Sequence, residues 1–141
     1  FVPEIIQLPL NILDTRLFRH GVLENLKEKG IEIHVRSAFQ QGLFFLERPL
    51  LVNRFPDVVP TLEKLKSIAS RVGLTPAELS LLWLVSLKEV DKVVIGVDHA
   101  SQLKSHLQTL KKHLDAKVVE DALSLHYENE NVLNPSNWEN I

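Results

Sequence analysis

The sequence predicts an α/β fold in which parallel strands alternate with outer helices, and three stretches predict it. Ile31–Arg36 (IEIHVR) alternates apolar Ile31, Ile33 and Val35 with polar Glu32, His34 and Arg36, the period-two pattern of a strand with one buried face. Lys92–Val97 (KVVIGV) is a continuous apolar run, the composition of a parallel strand covered on both faces. Between them, Thr75-Pro76-Ala77-Glu78 is a capping box with proline at the first helical position, and it opens a helix that ends near Leu87.

The remaining elements follow in order. Glu4–Leu10 (EIIQLPL) predicts a short buried strand, with Pro9 at its end because proline cannot donate to a ladder. Asn11–His20 is a connection with some helical character. Gly21–Lys29 predicts a short helix: Val22, Leu23 and Leu26 form its apolar stripe, lysines close it, and Gly30 follows as the C′ residue. The central strand then runs without a turn signal into Ser37-Ala38-Phe39-Gln40-Gln41-Gly42. Leu43–Val59, with Pro49 and Pro56, reads as a long irregular stretch of the kind that forms or covers a site.

Pro60–Val72 predicts an amphipathic helix using Leu62, Leu65, Ile68 and Ala69, closed by Gly73. The helix after Thr75 is apolar nearly all round (Leu79, Leu81, Leu82, Trp83, Leu84, Val85), which implies burial on most sides. Asp98-His99 is the turn after the third strand. Ala100–Thr109 predicts a helix with Leu103, Leu107 and Leu110 spaced for one face, and Asp115–His126 a last one through Val118, Val119, Ala122, Leu123 and Leu125. The tail, Glu128–Ile141, reads as a polar surface strap with Trp138 as its anchor.

Composition narrows the function classes. The 141 residues are 45% hydrophobic and 24% charged, ordinary for a globular domain with a real core. A net charge of -2 gives no electrostatic case for nucleic acid or an acidic membrane surface. No apolar run approaches the ~20 residues that span a bilayer, and no basic n-region with an apolar h-region opens the chain. Cysteine is absent, which excludes disulfides and thiolate metal sites and fits a reducing compartment; the expected location is the cytoplasm. The six histidines contain no i,i+4 pair and no H-E-x-x-H, so no metal ligands are assigned. Ser-His-Asp, P-loop and G-x-G-x-x-G patterns are also missing. The chain opens on Phe1 rather than Met, and is expected to be a piece of a longer one. Three parallel strands cannot close a barrel, which takes about eight, and left open they expose two edges. The expectation is therefore part of a larger barrel.

In such folds ligands sit at the carboxyl ends of the strands, which puts Arg36 and Ser37 at the rim of a site. On the residues alone, Arg36 pairs with Glu32 or another carboxylate, His34 is a satisfied interior histidine, and Gln7 is an ordinary buried amide.

A set of motifs adds to this reading. The strand ending Ile6-Gln7, the segment Val35–Gly42 (VRSAFQQG), the buried helix after Thr75-Pro76-Ala77-Glu78, and Val94-Ile95-Gly96-Val97-Asp98 followed by Gln102-Leu103 together resemble the C-terminal part of aldo-keto reductases. Asn134-Pro135-Ser136-Asn137-Trp138 is similar to the tail of bacterial members. The resemblance covers nearly the whole chain. It implies the sixth to eighth βα units of a TIM (β/α)8 barrel, in one domain fragment spanning residues 1–141. It also implies an oxidoreductase that transfers hydride between NADP or NAD and a small-molecule carbonyl, an aldehyde or ketone. By the same resemblance Gln7 holds the nicotinamide carboxamide and Arg36 packs on the nicotinamide ring, where a planar guanidinium can stack. Ser37, Phe39 and Gly42 approach the pyrophosphate. Gly96, Val97 and Asp98 form the adenosine-side turn, with Gln102 and His106 where the family often carries an Arg and an Asn. Asp98 would repel a 2′-phosphate and accept from a ribose diol, which argues against strong NADP preference.

The family's catalytic Tyr, Lys, Asp and His come from earlier strands. No catalytic residue is assigned here, since Tyr127, the only tyrosine, lies at the end of the last helix. The partner expected for this chain is the N-terminal part of the barrel. The rival reading is a non-catalytic module, one that binds a dinucleotide or assembles through its sheet edges.

Overall fold

The computed structural model of the chain describes residues 2–140. Strands β1 (Ile5–Pro9), β2 (Glu32–Arg36) and β3 (Lys92–Val93) form one parallel sheet in the order β1-β2-β3. The register pairs Gln7 with His34 and His34 with Lys92, so alternate residues of all strands share a face. On one face Ile33 and Val35 are fully buried, in a single core with Leu23, Leu65, Leu79, Trp83 and Leu84 from the helices. On the other face Ile5 and Gln7 are exposed and Glu32 and His34 only half-buried, so β1 is not the buried strand expected and Gln7 not a buried amide, because among the described residues no helix packs on that side. The helices thus cover one side of the sheet.

The bare side carries a shared carboxylate. Glu32 Oε1 lies 2.7 Å from His34 Nε2 and 2.8 Å from Lys92 Nζ. Lys92 first, and then His34, hold the Glu32 carboxyl below its ordinary range. Glu32 is therefore occupied, and Arg36 has no carboxylate partner among the described residues.

The helices α1 (Arg16–Arg19), α2 (Val22–Glu28), α3 (Arg48–Arg54), α4 (Val59–Arg71), α5 (Pro76–Ser86), α6 (Ala100–Thr109), α7 (Ala116–Leu123) and α8 (Glu130–Leu133) follow the predicted order with two differences of substance. Leu43–Val59 is not irregular. It holds the end of a 3₁₀ turn, then α3, then a second turn at Pro56–Val58, and it buries Leu51, Phe55 and Val58. Pro49 and Pro56 sit in first turns, where the missing N–H has no intrahelical partner to lose.

The second difference is β3, which stops after Val93. The Val94 N–H reaches Val35 O at 2.7 Å, but the next carbonyl of the chain due to face β3, Ser37 O, is taken by the Gln40 N–H at 2.9 Å, and Ser37 itself is left-handed at φ 64°. β2 then turns away at Ser37, and residues 94–97 have no strand to pair with. The leucines of α6 do share a face, but Leu103, Leu107 and Leu110 are exposed on it. The tail is held by more than Trp138: Val132 and Leu133 are buried, and the Trp138 ring lies 4.8 Å from that of Phe55.

Helix α5 is the centre of the packing, with Leu79, Leu81, Leu82, Trp83 and Leu84 all buried. Its capping box forms as predicted: Glu78 N–H donates to Thr75 Oγ1 at 3.2 Å and Thr75 N–H to Glu78 Oε2 at 2.8 Å. Glu78 Oε1 also pairs with Lys112 Nζ at 2.7 Å. That ammonium, with the Thr75 amide, lowers the Glu78 carboxyl from an ordinary 4.5 to about 2. A carboxyl depressed in the folded state contributes stability above its unfolded value, and loses it as pH falls towards the folded one. We expect Glu78 to contribute about 1–2 kcal/mol near neutrality, less than the whole shift because water screens the pair. Urea unfolding from neutral pH down towards pH ~2 should show that contribution fading below pH ~4.5, and Glu78→Gln should flatten the curve there. A curve equally steep in the variant would refute the assignment.

Among the described residues no single helix is long and apolar enough to cross a membrane.

Candidate functional site

The loop after β2 departs furthest from ordinary backbone. Ser37, Gln40 and Gln41 take φ of 64°, 46° and 49°, in the left-handed region, and Gly42 follows at 85°. Non-glycine residues there cost on the order of 1 kcal/mol each or more and persist only where surroundings hold them. Three buried side chains do so. Asn11 Nδ2 donates to Ser37 O at 3.2 Å, and Ser80 Oγ from α5 donates to Ala38 O at 2.7 Å. Gln40 turns inward, its Oε1 accepting from Asn11 Nδ2 at 2.6 Å and its Nε2 donating to Val132 O at 2.9 Å and Leu133 O at 2.8 Å.

So fixed, the loop forms one wall of an open cleft of about 800 Å³ beyond the carboxyl ends of the strands. That is within the size range of small-molecule sites, roughly 300–1,000 Å³. All ten residues singled out in the sequence line it: Gln7 from β1, Arg36, Ser37, Phe39 and Gly42 from β2 and its loop, and Gly96, Val97, Asp98, Gln102 and His106 from the far side. Phe39 joins the two walls, stacked on the His106 ring with centroids 5.1 Å apart and planes at 21°. Phe45 meets Phe39 edge-on at 5.6 Å and also lines the cleft. The sequence shows Phe45 only as half of the apolar pair Phe44-Phe45, because its place in the cleft depends on the left-handed turns before it.

The charges in the cleft are sparse. Arg36 is exposed, with Ser37 Oγ at 3.4 Å as its nearest polar partner. Across the cleft, Gln102 Oε1 accepts from the Asp98 N–H at 2.7 Å and the His99 N–H at 3.4 Å. Gln102 therefore caps its own helix, and two amides at the start of α6 are already occupied. Arg36 and Ser37 also border a smaller hollow of about 210 Å³, with Asp14, Arg16, Glu130 and Asn134. There Arg16 bridges Asp14 at 2.8 Å and Glu130 at 2.9 Å. Tyr127 lines neither cavity.

A profile of the Aldo/keto reductase family matches residues 2–125. The chain belongs to the aldo/keto reductase family. Comparison with curated protein sequences gives no match. Among solved structures, the chain is similar to aldo-keto reductase AKR11C1 from Bacillus halodurans in its holo form, at 22% identity and a TM-score of 0.68, over 89% of this chain and 44% of that one. It is also similar to the thermostable aldo-keto reductase Tm1743 in complex with the inhibitor epalrestat, at 22% identity and a TM-score of 0.65, over 86% of this chain and 39% of that one. The fold is thus three βα units of an aldo-keto reductase (β/α)8 barrel, with parallel strands and outer helices. The chain spans less than half the length of these two structures.

Proposed function

We propose that this chain is the C-terminal part of an NAD(P)H-dependent aldo-keto reductase that reduces an aldehyde or ketone. It contributes the dinucleotide-binding strands and loops, and not the catalytic Tyr, Lys, Asp and His. One observation carries the reading: the ten residues matched to the family's cofactor positions line a single cleft at the strand ends. The groups suit a dinucleotide. Gln7 offers an exposed amide, Arg36 a planar cation without a carboxylate partner among the described residues, and the held loop a wall of fixed backbone. At Gly96 even an added Cβ would meet nothing within 4 Å, so that side leaves room for a ligand.

Bound NAD(P)H would supply the hydride. Gln7 would hold the carboxamide and so fix which ring face is presented, and Arg36 would lie flat on the ring. Ser37, Phe39 and Gly42 would border the pyrophosphate. Asp98 stands where a 2′-phosphate would be repelled, and Gln102 is spent on its own helix, which favours NADH over NADPH.

The test is a binding titration of the chain with NADH and NADPH. Saturable binding is expected, with Arg36→Ala weakening it about tenfold, the loss of one stacked cation. An unchanged dissociation constant in the variant would count against the clamp, and no binding of either dinucleotide would overturn the reading.

A further inference from the structure

We infer that Gln40 is a positioning residue through which the C-terminal segment sets the shape of the cleft loop, so that dinucleotide binding and seating of the tail are coupled. The inference rests on the proposed dinucleotide reading for its ligand. Its geometric basis is separate.

Of the three buried side chains that hold the left-handed loop, two tie it to neighbouring parts of the barrel wall. Asn11 follows β1 and Ser80 belongs to α5. Gln40 alone reaches the tail, across 92 and 93 residues of sequence, and it is 1% exposed. Both hydrogens of its amide are used on Val132 O and Leu133 O. Val132 O also accepts from Trp138 Nε1 at 3.0 Å, and Trp138 packs on Phe55. The tail is therefore seated by one buried polar knot with an aromatic anchor behind it. Two further ties lie nearer the surface: Arg16 pairs with Glu130, whose carboxylate is mostly exposed, and such pairs contribute little, and Arg54 Nη2 donates to Trp138 O at 3.3 Å.

Coupling follows from what each part loses without the other. If the tail lifts, two buried N–H donors are left without partners at a residue already in the left-handed region. The loop then gains by relaxing its φ angles, and Phe39, two residues from Ser37, leaves its stack on His106. A ligand that needs the loop in place must in return hold the tail down, because coupling free energy is reciprocal.

Hydrogen exchange on the whole chain, with NADH and NADPH as probes, tests this. In the parent chain, saturating dinucleotide should slow exchange of the amides in residues 130–137 about tenfold, although none of residues 130–137 lines the cleft. Gln40→Ala should bind about tenfold more weakly and lose the tail's response to ligand. It should also speed exchange across residues 37–45 with no ligand present. Gln40→Glu separates positioning from simple loss of packing. A carboxylate cannot donate to the two carbonyls, so binding should be weak near neutrality and recover in part on acidification, when the acid can donate once. Dinucleotide binding that leaves the parent's tail exchange unmoved would overturn the coupling, and this readout needs no variant to fold. Wild-type affinity in Gln40→Ala would overturn it too. If neither dinucleotide binds the parent chain, the functional reading falls. The strap is then decided by ligand-free exchange: faster exchange of residues 37–45 in Gln40→Ala sustains it, and unchanged exchange refutes it.

Discussion

Replacing Trp83 with alanine is expected to cost about 3–5 kcal/mol of folding stability, the range for a large aromatic removed from a core that cannot collapse around the gap. Trp83 is fully buried at the middle of α5. The sheet lies on one side of it and the Phe18 ring on another, edge-on at 6.2 Å and 71°. An apolar surface all round means that every neighbour loses contacts at once. Trp83→Phe should behave differently. The indole Nε1 is buried with no hydrogen-bond partner among the described residues, so phenylalanine removes an unpaired donor together with some volume. A cost below about 1.5 kcal/mol is expected for it. Urea unfolding of the three chains gives both numbers. A loss under about 1 kcal/mol in Trp83→Ala would mean that this core is not centred on α5.

Asn11→Ala is expected to cost about 2–4 kcal/mol, because one buried side chain serves four partners and each group left unpaired costs on the order of 1 kcal/mol or more. Asn11 Oδ1 accepts from the Leu13 and Asp14 amides, each at 3.0 Å, and so shapes the chain as it leaves β1. Asn11 Nδ2 donates to Ser37 O and Gln40 Oε1. Asn11→Asp keeps the first pair of bonds and turns the second into an oxygen facing two oxygens. At neutral pH it should be at least as damaging as alanine, and part of the loss should return on acidification as the carboxyl regains a proton. Thermal unfolding at two pH values distinguishes the variants, and equal stability of Asn11→Asp and the parent at neutral pH would refute the donor role.

What the sequence made legible was local or periodic. The alternation in Ile31–Arg36 located β2, the Thr75/Glu78 capping box located the start of α5, and the leucines around Trp83 foretold its burial. The residues of the candidate site were also legible, since a strand end and the loop after it are contiguous in the chain. What escaped depended on distant partners. The extent of β3 is decided by the left-handed turn at Ser37, whose carbonyl, the next that a longer ladder would need, accepts from the Gln40 amide instead. Helix α3 hid behind Pro49 and Pro56, residues that break a helix interior and suit a first turn equally well. Arg36 looked ready to pair with Glu32 until Lys92, from the next strand, took that carboxylate. Gln40 read as one polar residue in a polar run, and only a contact more than ninety residues away gives it a role.

The uncovered side of the sheet sets how copies of this chain would stick to one another. It is studded with groups that water solvates readily: the Gln7 amide, the Glu32 carboxylate, the His34 imidazole and the Lys92 ammonium. Stacking two such faces would strip that hydration for little return. Among the described residues the open boundaries are instead the outer backbones of β1 and of the two-residue β3. Any further strand, from the rest of a barrel or from another chain, would join there, adding about 4.8 Å along the sheet rather than a second layer.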